Sequence, residues 1–510
     1  MNDYILLTGA TGLLGRYLLR DLLAKGRKVV VVVRPTKHLH VRERIEQILQ
    51  QWESESNSLL PRPVVFEGDI CAEFLGLNDT QRQWIADNCS SVLHSAATLT
   101  FHSVKNGEPW RTNVGGTENM LQLCEVADIR ELHYVSTAYV CGLRAGTIQE
   151  DELDCGQDFR NDYEQSKLQS ETLVRSATHI DCLTVYRPAV IAGDSVTGFT
   201  NTYHGLYMYL HMMSVVNRNT TPDADGRRHT PVQLKMTGDE PRNIITADWT
   251  SAAIVELLLN DQAHGHTFHL APEKPLTPRE IMEAGYEYFD SYGVEFCGQP
   301  ISSDGAGDLL TRNAHDSMKM YKQYEQSDPC FDTTNLKRFA GHLPCPTIDK
   351  PMLHRFWAYG EEDRWGRRRL PKPTIPFDAS ELMAMARQHF AATEATSDPL
   401  TTVGLNVSGP GGGQWSIDHN ATRIIKVRPG IAANVTKVVT LTSEQLASRL
   451  SQGQSKTEIE KLLAVAFERA TSPAPNTPLE SKNNGDAAGE RTEFASAVAL
   501  ALNPDPQQEE

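Results

Sequence analysis

The stretch YILLTGATGLLGRYLL, residues 4–19, decides the fold. An apolar run of strand length leads into a loop whose glycines 9, 12 and 15 fit G-x-x-G-x-x-G, and a helical pattern follows. Gly9 suits a tight turn, Gly12 lets a diphosphate approach the main chain, and Gly15 lets the helix pack closely on the strand. Because the N-terminus of a helix offers unpaired N–H groups to phosphates, the stretch predicts a dinucleotide-binding loop. The loop residues expected at the cofactor are Gly9, Thr11, Gly12, Leu13, Leu14 and Gly15.

Alternating strands and helices continue from this loop to about residue 270. Short apolar strands that alternate with helices imply a parallel sheet covered by helices on both faces. The strands are predicted at 4–7, 28–33, 64–67, 91–94, 133–136 and 183–186, with helices such as 15–25 and 116–127 between them.

The ends of the second, third and fourth strands carry side chains suited to a nucleotide. Arg34 follows the second strand, where an acidic residue would accept the ribose hydroxyls of NAD; an arginine instead matches a 2′-phosphate, so we expect NADPH. Asp69 and Ile70 follow the third strand, from which a side chain can reach the adenine. Ala96 and Ala97 follow the fourth strand and are small where the cofactor backbone would pass.

Tyr163 and Lys167 form the pattern Y-x-x-x-K, which places them one turn apart on one face of a helix. A nearby ammonium favours the tyrosinate, so we expect Lys167 to lower the pKa of Tyr163 toward a value useful for proton transfer. Thr137, at the end of the predicted fifth strand, can donate a second hydrogen bond to a substrate oxygen. The order of these residues after the glycine loop makes the combination more specific than any one motif.

Composition excludes some functions and favours a compartment. The net charge of −16 argues against broad nucleic-acid binding, because phosphates need a basic surface. No stretch reaches the roughly 20 apolar residues of a membrane span, and no secretory signal is apparent, so we expect a cytoplasmic protein.

The nine cysteines contain no C-x-x-C pair and are expected as free thiols. His38 and His40 have no partners at metal-ligand spacing, and no metal site is predicted.

Together these motifs resemble the extended short-chain dehydrogenases/reductases. Within that superfamily the chain resembles the thioester reductase and fatty acyl reductase group, of the male-sterility type. The resemblance covers about residues 1–275, and its most specific stretches are GDICAEFLGL (68–77), FRNDYEQSK (159–167) and RPAVIAGDSVTG (187–198).

The resemblance implies a catalytic triad of Thr137, Tyr163 and Lys167, the last two also contacting the cofactor. It implies that Asn113 braces the active-site backbone. The region after Gly198, together with the segment 276–375, would build a substrate-binding cap. Main-chain contacts to the nicotinamide are expected from Pro188, Ala189 and Val190.

The function implied is NADPH-dependent reduction of a fatty acyl or polyketide-type thioester, carried by CoA or by an acyl carrier protein, to an aldehyde or an alcohol. Two alternatives remain open. One is an NAD(P)-dependent sugar-nucleotide epimerase/dehydratase or hydroxysteroid-type dehydrogenase, and the other is a non-catalytic NADP-binding lipid carrier. The Met- and Tyr-rich stretch 203–213 predicts either the wall of an acyl tunnel or a core helix.

The C-terminal part changes character. A glycine turn before Trp415 and the stretch TLTSEQL at 440–446 resemble a sterol-carrier-like module, for which a lipid ligand is expected; a purely structural β-appendage is the alternative. The predicted fold class is therefore α/β, with a doubly wound parallel Rossmann sheet, a smaller cap, a C-terminal α+β module and a disordered tail. The predicted divisions are 1–275, 276–375, 376–468 and 469–510.

Overall fold

A computed structural model describes residues 3–298, 326–368, 370–391, 401–419 and 424–451. The predicted strands are all present, with ends displaced by one or two residues, and a seventh strand completes a parallel sheet. The strands of this sheet are β1 (Tyr4–Thr8), β2 (Lys28–Val33), β3 (Val64–Glu67), β4 (Cys89–His94), β5 (Glu131–Val135), β6 (Cys182–Pro188) and β7 (Thr267–Leu270).

The strand order is β7-β6-β5-β4-β1-β2-β3, and every neighbouring pair is parallel. After β3 the chain crosses back to the other side of β1 and adds β4. This reversal opens a crevice at the carboxyl ends of β1 and β4, where ligands bind in open α/β sheets. The α/β Rossmann architecture predicted from the sequence is thereby confirmed.

Both faces of the sheet are covered by helices, as the apolar strands require. On β1, Ile5 and Leu7 join one core while Tyr4 and Leu6 join another, because successive side chains of a strand point to opposite faces. Within the described residues the α-helices are α1 (Leu13–Ala24), α2 (Val41–Ser56), α3 (Asp79–Asn88), α4 (Gly116–Val126), α5 (Asp162–Ser176), α6 (Leu206–Arg218), α7 (Ala247–Leu258), α8 (Pro278–Phe289), α9 (Thr334–Ala340), α10 (Lys350–Glu362), α11 (Ala379–Ala391) and α12 (Ser443–Ser451).

A second layer forms above the carboxyl edge of the sheet, in the region predicted as the cap. Its core joins residues of α6, α8 and α10, and the Trp357 indole donates a hydrogen bond to the Leu210 carbonyl over 3.0 Å. Short parallel strand pairs connect this layer internally and to the sheet domain: Arg228–His229 with Ser291–Tyr292, Gln233–Leu234 with Glu295–Phe296, Val190–Ala192 with Ile244–Thr246, and Thr147–Ile148 with Cys330–Phe331.

The C-terminal segment forms the expected α+β module. The strands β8 (Thr401–Ser408), β9 (Gly413–His419), β10 (Ile424–Pro429) and β11 (Lys437–Thr442) pair in the order β10-β9-β8-β11. The module rests on the sheet domain, since Tyr4 donates to Gln414 over 2.6 Å and Trp84 donates to the Pro429 carbonyl over 2.7 Å. Its lipid ligand and the boundaries at 275, 375 and 468 stay predictions, and the predicted disordered tail lies outside the described residues.

Among the helices that the structure describes, none is both long and apolar enough to cross a bilayer.

Candidate active site

A cavity of about 600 Å³ opens at the carboxyl edge of the sheet. It runs from the glycine loop, past the ends of β5 and β6, to side chains of α6 and α8 in the cap. The predicted site residues in its wall are Gly9, Gly12, Leu13, Leu14, Gly15, Ala97, Thr137, Tyr163, Lys167, Pro188, Ala189 and Val190. The other predicted residues are not part of this wall: Thr11, Arg34, Asp69, Ile70, Ala96 and Asn113.

The glycine loop has the form that a diphosphate requires. Gly9 has a φ of +77°, and a Cβ there would stand 2.7 Å from the Ala96 amide nitrogen. A Cβ on Gly15 would stand 2.0 Å from the Gly9 carbonyl oxygen, so helix α1 can pack this closely only with glycine there. A Cβ on Gly12 would meet only that same oxygen, at 3.3 Å, and would otherwise occupy the open space in front of the loop where a phosphate would lie. No side chain caps the N-terminus of α1. The backbone therefore fits a dinucleotide phosphate at Gly12.

The Thr8 hydroxyl, at the end of β1, joins this strand to the end of the neighbouring β4. Thr8 accepts hydrogen bonds from the amides of Ser95 and Ala96 over 3.2 and 3.3 Å, and it bonds the His94 ring over 2.9 Å. Burial and the charge of Lys167 lower the pKa of His94 to about 3, so this imidazole is neutral. Ala96 is thus held against Gly9 of the glycine loop, and the cofactor contact of Ala96 and Ala97 stays a prediction.

Two guanidinium groups meet at the end of β2. Arg44 donates to the Thr11 hydroxyl over 3.0 Å and to the Arg34 carbonyl, and Arg34 lies 3.8 Å from the Asp69 carboxylate. Burial lowers the pKa of Arg44, because it disfavours the charged form of the side chain. The positive charge of Arg34 lowers the same pKa further by like-charge repulsion. An anion between them would relieve that repulsion. Sequence reasoning missed Arg44, since α2 carries several charged residues and nothing in the pattern distinguishes this one.

Helix α5 presents Tyr163 and Lys167 to the cavity. Asn161 caps the helix by accepting the Glu164 amide over 3.0 Å, which places Tyr163 in the first turn and Lys167 one turn further. The Thr137 hydroxyl faces the same cavity and donates to the Pro188 carbonyl over 3.4 Å, and it caps the short turn Ala138–Cys141 that follows β5. The structure therefore brings the three predicted catalytic side chains to one wall.

The electrostatics of this wall differ from the sequence expectation. Burial raises the pKa of Tyr163, and the neighbouring Tyr134 raises it further. The Thr137 hydroxyl lowers this pKa and only partly offsets these two effects. Burial lowers the pKa of Lys167 to about 7, so near neutral pH this side chain is only partly an ammonium. The hydrogen bonds of the amine go to the Tyr134 hydroxyl over 2.9 Å and to the Val135 carbonyl over 2.8 Å.

A buried ion pair stands behind Lys167. Glu171, one turn further along α5, is fully buried and pairs with Arg187 over 2.7 Å and with Arg175 over 2.8 Å. Its negative charge raises the pKa of Lys167 and partly opposes the effect of burial. The charge of the amine is thus set by its place in the fold rather than by contact with Tyr163.

Asn113 lies in a short π-helical turn, Arg111–Gly115, before α4. Its side-chain amide donates to the Ser166 hydroxyl over 2.9 Å and to the Thr98 carbonyl over 3.2 Å, while its oxygen accepts the Thr98 amide over 2.9 Å. It therefore joins the loop after β4 to α5 beside Lys167. This position suits the bracing role that the resemblance implies.

The far end of the cavity is apolar and comes from the cap. Helix α6 contributes side chains both to the cap core and to the cavity wall, and an acyl ligand beside it stays a prediction. The apolar side chains there are Leu206, Tyr209, Met212, Met213, Leu234, Met236, Ile281 and Met282.

One buried carboxylate in the wall was not predicted. Asp328 accepts the Tyr139 hydroxyl over 2.8 Å and the Asn243 amide over 2.9 Å, and burial raises its pKa. It lies in an irregular segment far from every motif, so no local pattern marks it.

The parallel sheet, the glycine loop and the Tyr163–Lys167 helix define an extended short-chain dehydrogenase/reductase, a class of NAD(P)-dependent oxidoreductases. Residues 7–254 match the family model described as male sterility protein.

Similar proteins agree with this assignment. A nonribosomal peptide synthetase of Aspergillus flavus, asaC, is 30% identical over 305 residues, which are 56% of this chain and 28% of that protein. The fatty acyl-CoA reductase wat of Drosophila melanogaster is 24% identical over 324 residues, 56% of this chain and 60% of that protein. The chain thus spans less than two thirds of either relative.

A solved structure, the terminal R domain of the myxalamid PKS-NRPS biosynthetic pathway, is 25% identical. It covers 73% of this chain and 93% of its own, with a TM-score of 0.58. The resemblance stated from the sequence motifs is confirmed.

Proposed function

We propose that the protein reduces a fatty acyl or polyketide-type thioester to an aldehyde with NADPH, and that a second reduction of the same kind would give the alcohol. One observation supports this most directly. A single cavity joins the phosphate loop, the Tyr163–Thr137 pair and a methionine-rich apolar end. A reductase of an apolar acyl group needs these three parts in that order.

NADPH rather than NADH is supported by the end of β2. Arg34 and Arg44 offer two guanidinium groups there, with the Thr11 hydroxyl beside them. A 2′-phosphate would bind both, since paired guanidiniums recognise phosphate oxygens by charge-assisted hydrogen bonds. The phosphate loop would hold the diphosphate at Gly12, and the main chain of 188–190 would face the nicotinamide.

When bound, NADPH supplies the hydride that reduces the thioester carbon. Tyr163 and Thr137 donate hydrogen bonds to the carbonyl oxygen, and these strengthen as negative charge develops on it. Tyr163 then protonates that oxygen, and Lys167 in its ammonium form favours the tyrosinate left behind. The resulting hemithioacetal loses its thiol and leaves an aldehyde. In balance, thioester, NADPH and a proton give aldehyde, thiol and NADP⁺.

The acyl group is supported by the apolar end of the cavity. Flexible thioethers from Met212, Met236 and Met282 adapt to an acyl chain of irregular shape. A sugar nucleotide would instead need polar partners for its hydroxyls across this same region. The cavity therefore favours the thioester over the epimerase alternative. The triad in its wall likewise disfavours a lipid carrier without catalysis.

The thioester's carrier is either CoA or a carrier protein. The similar proteins are named a nonribosomal peptide synthetase and a fatty acyl-CoA reductase, and the solved relative is a terminal R domain. These names support both carriers, which share the phosphopantetheine thiol chemistry.

The direct test follows NADPH absorbance with a long-chain acyl-CoA, an acyl carrier protein thioester, and UDP-glucose in separate reactions. Because epimerisation consumes no net cofactor, the UDP-glucose reaction is repeated with NAD⁺ and its sugar nucleotides are separated by chromatography. Oxidation is expected with a thioester and none with UDP-glucose. One NADPH per thioester indicates the aldehyde, and two indicate the alcohol. Tyr163→Phe should lower kcat about 10²- to 10⁴-fold, the usual contribution of a positioned proton donor. Turnover of UDP-glucose alone, or an unchanged rate in Tyr163→Phe, would contradict the proposal.

A further inference from the structure

A second cluster of ligand-type side chains lies at the opposite edge of the sheet. Glu131 opens β5, His133 is the third residue of the same strand, and His264 precedes β7. One oxygen or nitrogen of each lies within 4.8 Å of the others. Because β5 and β7 flank β6, the cluster spans three neighbouring strands at their amino ends. The cavity lies at the carboxyl ends.

The hydrogen bond of His264 defines which of its nitrogens is free. Its Nε2 lies 3.0 Å from the Leu258 carbonyl, which only accepts, so Nε2 carries the proton. In the neutral ring, Nδ1 then presents a lone pair, and it points at the Glu131 carboxylate 3.4 Å away. Two acceptors facing each other are satisfied by a proton or by a cation between them.

His133 faces the same carboxylate oxygen. Its Nε2 lies 2.8 Å from Glu131, and its Nδ1 lies 2.9 Å from the Tyr186 hydroxyl. The phenol can accept from Nδ1, which frees Nε2 as a ligand, and such a partner on the second nitrogen is typical of metal-binding histidines.

The surroundings favour a cation. The carbonyl that orients His264 belongs to Leu258, the last residue of α7, and a helix C-terminus carries partial negative charge. The neighbouring Arg130 is engaged with Asp128 and Asp181 on the surface. Cys182 is the partner of Glu131 in the pairing of β5 with β6, but its thiol is not part of the cluster.

We propose that Glu131, His133 and His264 bind one zinc ion, with water in the fourth position. Two imidazoles and a carboxylate are a set that Zn²⁺ accepts, and Mg²⁺, which prefers oxygen ligands, does not match it. Tetrahedral zinc holds such atoms roughly 3.4 Å apart. A shift of about 1 Å in the partly exposed side chains of Glu131 and His264 completes the set.

The ion would act as a clamp. It would join the start of β5 to the residues that precede β7. The other end of β5 accepts a hydrogen bond from Lys167 at the Val135 carbonyl. A ligand that binds only the folded state raises the melting temperature. The inference is independent of the proposed reductase function, because it uses none of the cavity residues.

The test uses the full chain, stripped with a chelator and dialysed, then titrated with Zn²⁺ and separately with Mg²⁺ by calorimetry. We expect one Zn²⁺ per chain, a raised melting temperature, and no comparable effect of Mg²⁺. His264→Ala and Glu131→Gln should each weaken Zn²⁺ binding at least about 10- to 100-fold, the range for disturbing a zinc site. Far-UV circular dichroism checks that both variants are folded.

A matched control is available on the surface. His342 lies 3.4 Å from Glu256, an imidazole–carboxylate pair like that of His264 and Glu131, but it belongs to no three-residue cluster among the described residues. His342→Ala should leave Zn²⁺ binding unchanged. The proposal is overturned if the parent chain binds no zinc, or if it binds zinc equally well after His264→Ala and Glu131→Gln.

Discussion

The amine of Lys167 donates a hydrogen bond to the Tyr134 hydroxyl over 2.9 Å and lies 4.4 Å from the centre of the same ring. Tyr134 comes from β5, on the core side of α5, so the fold rather than the local motif determines the surroundings of this amine. Burial there lowers the pKa of Lys167 to about 7. A group that titrates near neutral pH makes the activity sensitive to small changes in its partners.

The pH dependence of activity follows from this value. Lys167 is an ammonium below its pKa and neutral above it, and the proposed mechanism needs the ammonium. We therefore expect kcat/KM to fall as pH rises above about 7, approaching a tenfold loss per pH unit. The measurement is a profile of kcat/KM from about pH 6 to 9, which reports groups of the free enzyme. A flat profile over this range would show that the charge of Lys167 does not limit turnover.

Tyr134→Phe should move that limb of the profile. The substitution removes one acceptor from the ammonium, and a hydrogen bond to a charged group contributes about 1.5 kcal/mol or more. We expect the apparent pKa of the limb to fall by about one unit. Tyr186→Phe is the control, because that hydroxyl, on the adjacent strand, bonds His133 rather than Lys167. An equal shift in both variants would mean that the Lys167–Tyr134 bond is not responsible.

Arg44→Ala should change the cofactor preference. Loss of one guanidinium–phosphate contact is expected to raise KM for NADPH about 10- to 100-fold, with a much smaller effect on NADH, which lacks the 2′-phosphate. Arg42→Ala is a close control, since Arg42 lies on the same helix but pairs with Asp378 of the C-terminal module over 2.9 Å. Equal changes in KM for both cofactors would contradict the role given to Arg44.

Tyr4→Phe should destabilise the protein through the C-terminal module. The Tyr4 hydroxyl donates to Gln414 and accepts the Ile431 amide over 2.7 Å, and all of these groups are buried. Removing it leaves buried polar groups unpaired, at a cost of about 1–3 kcal/mol in the free energy of unfolding. Urea denaturation measures the loss. Tyr292→Phe, which removes an exposed hydroxyl bonded to Asp223, should change that free energy far less.

The sheet and the phosphate loop could be predicted from the sequence because their signals are local. Apolar strands buried on both faces and glycines at the required turns leave few other folds. The strand β7 was not predicted, since its four residues include Thr267 and His269 and show no strong pattern. It forms because β6 offers it a partner.

The sequence predicts which side chains meet at the cavity better than it predicts their electrostatics. The spacing of Tyr163 and Lys167 placed both on one helix face, but the pKa of each depends on Tyr134 and Glu171 and on burial, which are tertiary features. Arg44 and Asp328 reach the site only through folding. The same is true of His264, which is distant in sequence from Glu131 and His133.

The bonds from Tyr4 to Gln414 and Ile431 join residues 410 and 427 positions apart. A ribosome makes the first strand of the sheet long before it makes these partners. Until then the Tyr4 hydroxyl, at the start of the strand, and the neighbouring Trp84 indole lack their hydrogen-bond partners in the C-terminal module. Contacts between residues so far apart in the chain lower the folding rate, and the sheet domain can gain these two bonds only after residue 431 has been synthesised.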